Sequence, residues 1–237
     1  RNEFKLFGIL NGIDTDSYNP ETDKAIFSHY SADNIEPKKR CKEELQKMFN
    51  LPVKPDTPVI AIISRLVAHK GLDLVRTVIE EVLRQDVQVI ILGKGDSSYE
   101  NYFTDLAKRY VGKLVSVIAF NPDVSGKIYS GADLFLMPSK SEPCGLSQMI
   151  ASRYGTVPIV RETGGLYDSI KPVGNGGNGF TFANYNAYDM LYVIREAINC
   201  YHNKEFWPQL IKRVMSVDFS WQRSAKEYEK MYGEMLK

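Results

Sequence analysis

The stretch Val59-Ile60-Ala61-Ile62-Ile63-Ser64-Arg65-Leu66-Val67-Ala68-His69-Lys70-Gly71 decides the fold. Five consecutive apolar residues predict a strand buried on both faces, because a half-exposed strand would alternate. A loop with two cations follows. Over 71–84, Val75, Val78, Ile79, Val82 and Leu83 then recur at helical spacing. Strand, loop and helix make the first part of a βαβ unit.

The pattern repeats downstream. Apolar runs predict strands at 87–92, 114–120, 134–138 and 157–161. Helices are predicted around Phe103, Leu106, Ala107 and Tyr110, and at 124–130, 146–154 and 221–236. The helix at 187–201 is the most regular, with Met190, Ile194, Ala197, Ile198 and Tyr201 on one face. The glycine-rich 174–179 reads as a loop. Strands alternating with helices imply an α/β fold with a doubly wound, Rossmann-like parallel sheet. Upstream, 14–57 is polar and reads as a surface excursion with one short helix near 42–49. Residues 6–10 read as a strand or buried segment ahead of the Asn11-Gly12 turn. With no initiator Met, the expectation is a piece of a longer protein.

Composition narrows the function. The chain has 237 residues, 43% of them hydrophobic, enough for one sizeable core. Thirty Lys and Arg balance 29 Asp and Glu, which leaves no electrostatic footprint for nucleic acid or an anionic membrane. No apolar run approaches the ~18 residues of a membrane span. Cys41, Cys144 and Cys200 are too few and too scattered for a disulfide framework or a zinc site, and suit a reducing compartment. No metal site is expected. His29, His69 and His202 have neither metal spacing nor a nucleophile beside them, and read as non-catalytic.

Doubly wound sheets bind ligands beyond the carboxyl ends of their strands, so the loops there carry the chemistry. Arg65 and Lys70 both lie between a strand end and a helix start, where free N–H groups and the helix dipole would suit a diphosphate. The plainer reading is two solvated loop cations, with no acidic partner in the same loop. In Ser139-Lys140-Ser141-Glu142-Pro143-Cys144-Gly145-Leu146, Glu142 is placed to meet sugar hydroxyls, and Gly145 lets a ligand approach the backbone. The plainer reading makes Ser141 an N-cap and Glu142 a first-turn carboxylate. Thr163-Gly164-Gly165-Leu166 is either a nest of N–H groups for phosphate or an ordinary tight turn. Phe120 closes the third strand, as core or as a surface for a base. Cys144 has no helper base, so a packing or substrate-contact role is expected. A dinucleotide oxidoreductase is excluded, because no Gly-x-Gly-x-x-Gly opens the first helix and no acidic residue is placed for a ribose.

These motifs, with Asn11-Gly12-Ile13-Asp14 and Phe219-Ser220-Trp221, resemble in order and spacing the bacterial glycogen synthases and plant starch synthases. The resemblance spans essentially the whole chain. It implies that 1–237 is the C-terminal, nucleotide-sugar-binding domain of a twin-Rossmann glycosyltransferase, with helix 220–237 returning towards a missing N-terminal domain. It implies ADP-glucose as donor, an α-1,4-glucan as acceptor, no cofactor, retention at the anomeric carbon, and a bacterial cytoplasm or a plastid. Arg65 and Lys70 would hold the diphosphate and stabilise leaving ADP. Glu142 would sit near the glucosyl ring, and Cys144, Gly145 and Leu146 at its hydroxyls. Thr163, Gly164 and Gly165 would meet phosphate, Phe120 would face adenine, and Ser64 and Asn11 would line the cleft. Many related transferases carry a second Glu eight positions after the first; here Ile150 stands there, as in the synthase branch. The family's N-terminal lysine-glycine motif and its histidine are absent, so the chain alone is expected to be inactive. A related transferase with a sucrose or lipid acceptor is the nearest rival, and Cys144 and Ile150 argue against it.

Overall fold

In the computed structural model, which describes residues 7–236, the apolar run Val59–Ile63 is the strand β1 and lies at the middle of the sheet. The other strands are β2 (Gln88–Gly93), β3 (Leu114–Ile118), β4 (Leu134–Met137), β5 (Val157–Arg161) and β6 (Phe180–Phe182). Their spatial order is β3-β2-β1-β4-β5-β6, with every pair parallel. The chain runs outward from β1 to β3, then crosses back to β4 on the other side of β1. This is the doubly wound order, and the reversal between β1 and β4 is its topological switch point.

Alternate side chains of the strands build two helical layers. Ile60, Ile62, Val89 and Leu136 meet Val75, Val78 and Ile79 of α2 (Leu72–Leu83) and Met190 and Ile194 of α7 (Ala187–Tyr201). On the opposite face, α4 (Pro122–Gly131) packs on β1, on α1 (Lys38–Met48) and on α5 (Ser147–Arg153), which in turn meets α8 (Phe206–Met215). Phe135 points into that layer, 5.4 Å from the Tyr129 ring. Each buried Val, Leu or Ile contributes about 1.5–3 kcal/mol, so the α2 face alone is a major stabilising unit. A charge at Val78, 1% exposed, would break it.

Several expectations need correction. Leu6 lies outside the described residues, and 7–10 form no strand. The Leu10 carbonyl instead accepts from Ser224 Oγ at 2.8 Å, and Ile13 bridges to Ser220. These contacts fasten the start of the chain to α9 (Trp221–Met235). The segment 14–57 is not a surface excursion: Ile26, Tyr30, Cys41, Leu45 and Leu51 are all buried, and Tyr30 Oη donates to the Tyr154 carbonyl at 2.8 Å. Its polar composition hides two lysines, Lys38 and Lys42, that are also buried. The third strand stops at Ile118, which leaves Phe120 in the loop beyond it. Short α6 (Gly164–Ser169), β6 and α8 complete the fold, with α3 (Ser97–Arg109) along the β3 edge.

Candidate active site

The loops after β1, β4 and β5 interlock above the switch point. Gly71 has φ 76°, and a Cβ there would overlap the Pro138 carbonyl, so only glycine lets the β1 loop lie against the end of β4. Lys140 N–H donates to the His69 carbonyl at 2.8 Å across the same seam. Gly164 and Gly165 make the equivalent approach from the β5 side, where Cβ atoms would overlap the Glu142 and Cys144 carbonyls. The Gly165 N–H donates to the Glu142 carbonyl at 2.9 Å. It therefore anchors the neighbouring loop rather than standing free in an open nest.

This packing brings Lys70 and Glu142 together. Lys70 Nζ lies 2.5 Å from Glu142 Oε2, with side chains 17% and 10% exposed. Ser139 Oγ reaches the same oxygen at 3.3 Å. The missing acidic partner of the β1 loop thus comes from the β4 loop. Glu142 is not a first-turn carboxylate either: α5 begins at Ser147, beyond Pro143 and a Gly145 with φ 72°. Arg65 is exposed and makes a 3.3 Å contact from Nη2 to His69 Nε2. The first turn of α2 already carries Asp73, whose Oδ1 accepts from Tyr185 Oη at 2.5 Å.

Two residues outside the sequence reading position the β4 loop. Arg161, the last residue of β5, donates from Nη1 to the Lys140 carbonyl at 2.8 Å and the Ser139 carbonyl at 3.4 Å. Its guanidinium lies 5.4 Å from the Tyr185 ring. Gln148, fully buried, donates from Nε2 to the Gly145 carbonyl at 2.9 Å, the Cys144 carbonyl at 3.1 Å and Ser169 Oγ at 3.0 Å. Nothing local in the sequence marked either residue, because the burial of Gln148 and the carbonyls that Arg161 reaches exist only once the loops are packed.

The remaining predicted residues lie around this centre. Ser64, Cys144, Gly145 and Thr163 are half-buried, while Leu146 and Gly164 are exposed. Phe120 is 90% exposed. It follows β3, two strands from β1 and so roughly 10 Å along the sheet edge. Asn11 is exposed beside α9 in a groove that Gly8, Asp168, Arg223 and Glu227 also line. Among the described residues no cluster of three or more His, Cys, Asp or Glu is placed to hold a metal, and no helix is long and apolar enough to cross a membrane.

Known proteins resemble this chain in sequence and fold. The chain is 52% identical over 98% of its length to a glycogen synthase from Bacillus cereus (strain Q1), and covers 49% of that protein. It is 49% identical to a glycogen synthase from Clostridium acetobutylicum, over 98% of the chain and 50% of the relative. Among solved structures it resembles the catalytic domain of starch synthase IV from Arabidopsis thaliana bound to ADP and acarbose, with a TM-score of 0.91 and 37% identity over 98% of this chain and 49% of that one. The chain therefore spans about half the length of the relatives it matches. Residues 43–211, from α1 to α8, match the family described as glycosyl transferases group 1, and the cationic switch-point loop and the glycine-packed loops beside it fall within that match. With the doubly wound sheet and its loops accounted for by one family, the chain belongs to the glycosyl transferases group 1.

Proposed function

We propose that this chain is the donor-binding half of a retaining glucosyltransferase that extends an α-1,4-glucan from ADP-glucose. The observation that carries the reading is the Arg65–Lys70 loop at the switch point, with Glu142 folded against it. Phe120, Lys70 and Glu142 stand in that order along the carboxyl edge of the sheet. Base, diphosphate and sugar of an extended nucleotide sugar would lie across β3, β1 and β4 in the same order. Arg65 and Lys70 supply fixed positive charge where the leaving diphosphate gains negative charge, the kind of interaction that is largest in such catalysis. Cys144, Gly145 and Leu146 face the sugar, with Thr163 and the Gly164–Gly165 turn beside the phosphates and Ser64 and Asn11 along the cleft. No carboxylate of this chain is assigned as a nucleophile, and no cofactor is invoked.

The acceptor side belongs to a second domain of the complete protein. The similar relatives are about twice as long. Trp221, Tyr228, Tyr232 and Met235 of α9 are exposed at near-helical repeats, an apolar stripe suited to returning against that domain. Three free cysteines suit the reducing interior of a cell. The test is glucan elongation. The complete protein should extend glycogen from ADP-glucose, and this chain alone should show no turnover. Elongation by the isolated chain, or none by the complete protein, rejects the reading.

A further inference from the structure

We propose that Glu142 discriminates against the nucleotide that lacks its sugar, by competing with its diphosphate for Lys70. The inference rests on the donor-binding reading above and deepens it. Glu142 and Lys70 are joined at 2.5 Å. The backbone beneath Glu142 is held by Arg161 on the Ser139 and Lys140 carbonyls and by Gly165 on its own carbonyl, and Ser139 Oγ reaches the same Oε2 at 3.3 Å, so the carboxylate has a second hold besides Lys70. Lys70, by contrast, makes no other side-chain hydrogen bond among the described residues, so its ammonium is free to turn.

A diphosphate arriving at Lys70 meets a carboxylate already there. If ADP binds alone, Glu142 gives up part of its cation in a partly desolvated site and gains no donor in return, which weakens binding. If ADP-glucose binds, the glucosyl hydroxyls donate to Glu142 as Lys70 turns to the phosphates. Both charges are then satisfied. The carboxylate therefore penalises ADP and spares ADP-glucose. Once the sugar has left, Glu142 recovers Lys70 and helps to expel the product.

The experiment is titration of ADP and of ADP-glucose onto this chain and onto the complete protein at low ionic strength, with unfolding curves confirming the fold of each variant. Glu142→Gln should tighten ADP about tenfold, the scale of an ion pair that no longer has to be broken, and should leave ADP-glucose no tighter. In a Lys70→Met background the same substitution should change ADP affinity less than twofold, since the coupling acts through that ammonium. Glu162→Gln removes a nearby carboxylate that bonds Thr181 instead, and should also stay within twofold. Unchanged or weaker ADP binding by Glu142→Gln, or equal tightening in both Lys70 backgrounds, overturns the inference and leaves the donor-binding reading intact. Failure of the unsubstituted chain and the complete protein to bind ADP overturns both.

Discussion

At the amino end of the sheet, Lys42 Nζ lies 2.7 Å from Asp133 Oδ2; at the carboxyl end, Lys70 Nζ lies 2.5 Å from Glu142 Oε2. The two pairs look alike in distance and burial, and their surroundings separate them. Lys42 also donates to Tyr201 Oη at 2.7 Å and to the Pro55 carbonyl at 3.0 Å, so its three protons are all placed. Asp133 Oδ2 in turn accepts the Val59 N–H at 2.8 Å, at the start of β1. Nearby Lys38 is equally committed, to the Ser130 and Tyr154 carbonyls and Thr156 Oγ1, and burial pulls its pKa down to about 8. Lys70 has Glu142 and no further acceptor among the described residues. A saturated buried pair locks chain segments together, while one with donors to spare is ready for a ligand. The difference lies in how many acceptors surround each ammonium.

Breaking the amino-end pair should give the largest effect. Lys42→Met leaves Asp133 buried without its cation, and unfolding experiments should show a loss of about 3–5 kcal/mol. ADP affinity of the folded fraction should not change. Next comes the carboxyl end. In the complete protein Arg65→Ala or Lys70→Ala should lower kcat by ~100-fold or more, the scale of losing one oriented charge-stabilising group, with a far smaller change in KM for the donor. Near-normal kcat in both variants would make them the solvated loop cations of the plainer sequence reading. The smallest effect is expected at Phe120, which is exposed and supports no packing. Phe120→Ala should weaken ADP binding by about 1 kcal/mol and leave stability unchanged; equal affinity would remove the stacking role.

Much of this was legible in the sequence where one physical signal acted alone. β1, β5 and α7 have the predicted bounds, because a doubly buried strand and a one-sided helix leave unmixed patterns. The period of α8 was equally present in Trp207, Leu210, Ile211, Val214 and Met215, although Pro208, which its first turn tolerates, disguised it as a break. The residue types of the site were legible, but their pairing was not. Lys70 and Glu142 are 72 positions apart and meet only because the crossover sets β4 beside β1. Glu142 looked like a helix start because Ser141 precedes it, and the left-handed Gly145 delays α5 to Ser147. The burial of Lys38 and Lys42 was hidden for a related reason: charged residues read as surface until the carbonyls that receive them are in place.

The contrast between the two lysines is tested most directly by ADP-induced thermal stabilisation of this chain, measured for the unsubstituted protein, Lys70→Met and Lys42→Met. A ligand that binds the folded state alone raises the melting temperature with its concentration. A clear upward shift with ADP is expected in the unsubstituted chain. The same shift should appear in Lys42→Met from a much lower starting temperature, and it should be strongly reduced in Lys70→Met, whose starting temperature also falls because Glu142 loses its cation. An undiminished shift in Lys70→Met would contradict the claim that the carboxyl-end lysine is held ready for the diphosphate.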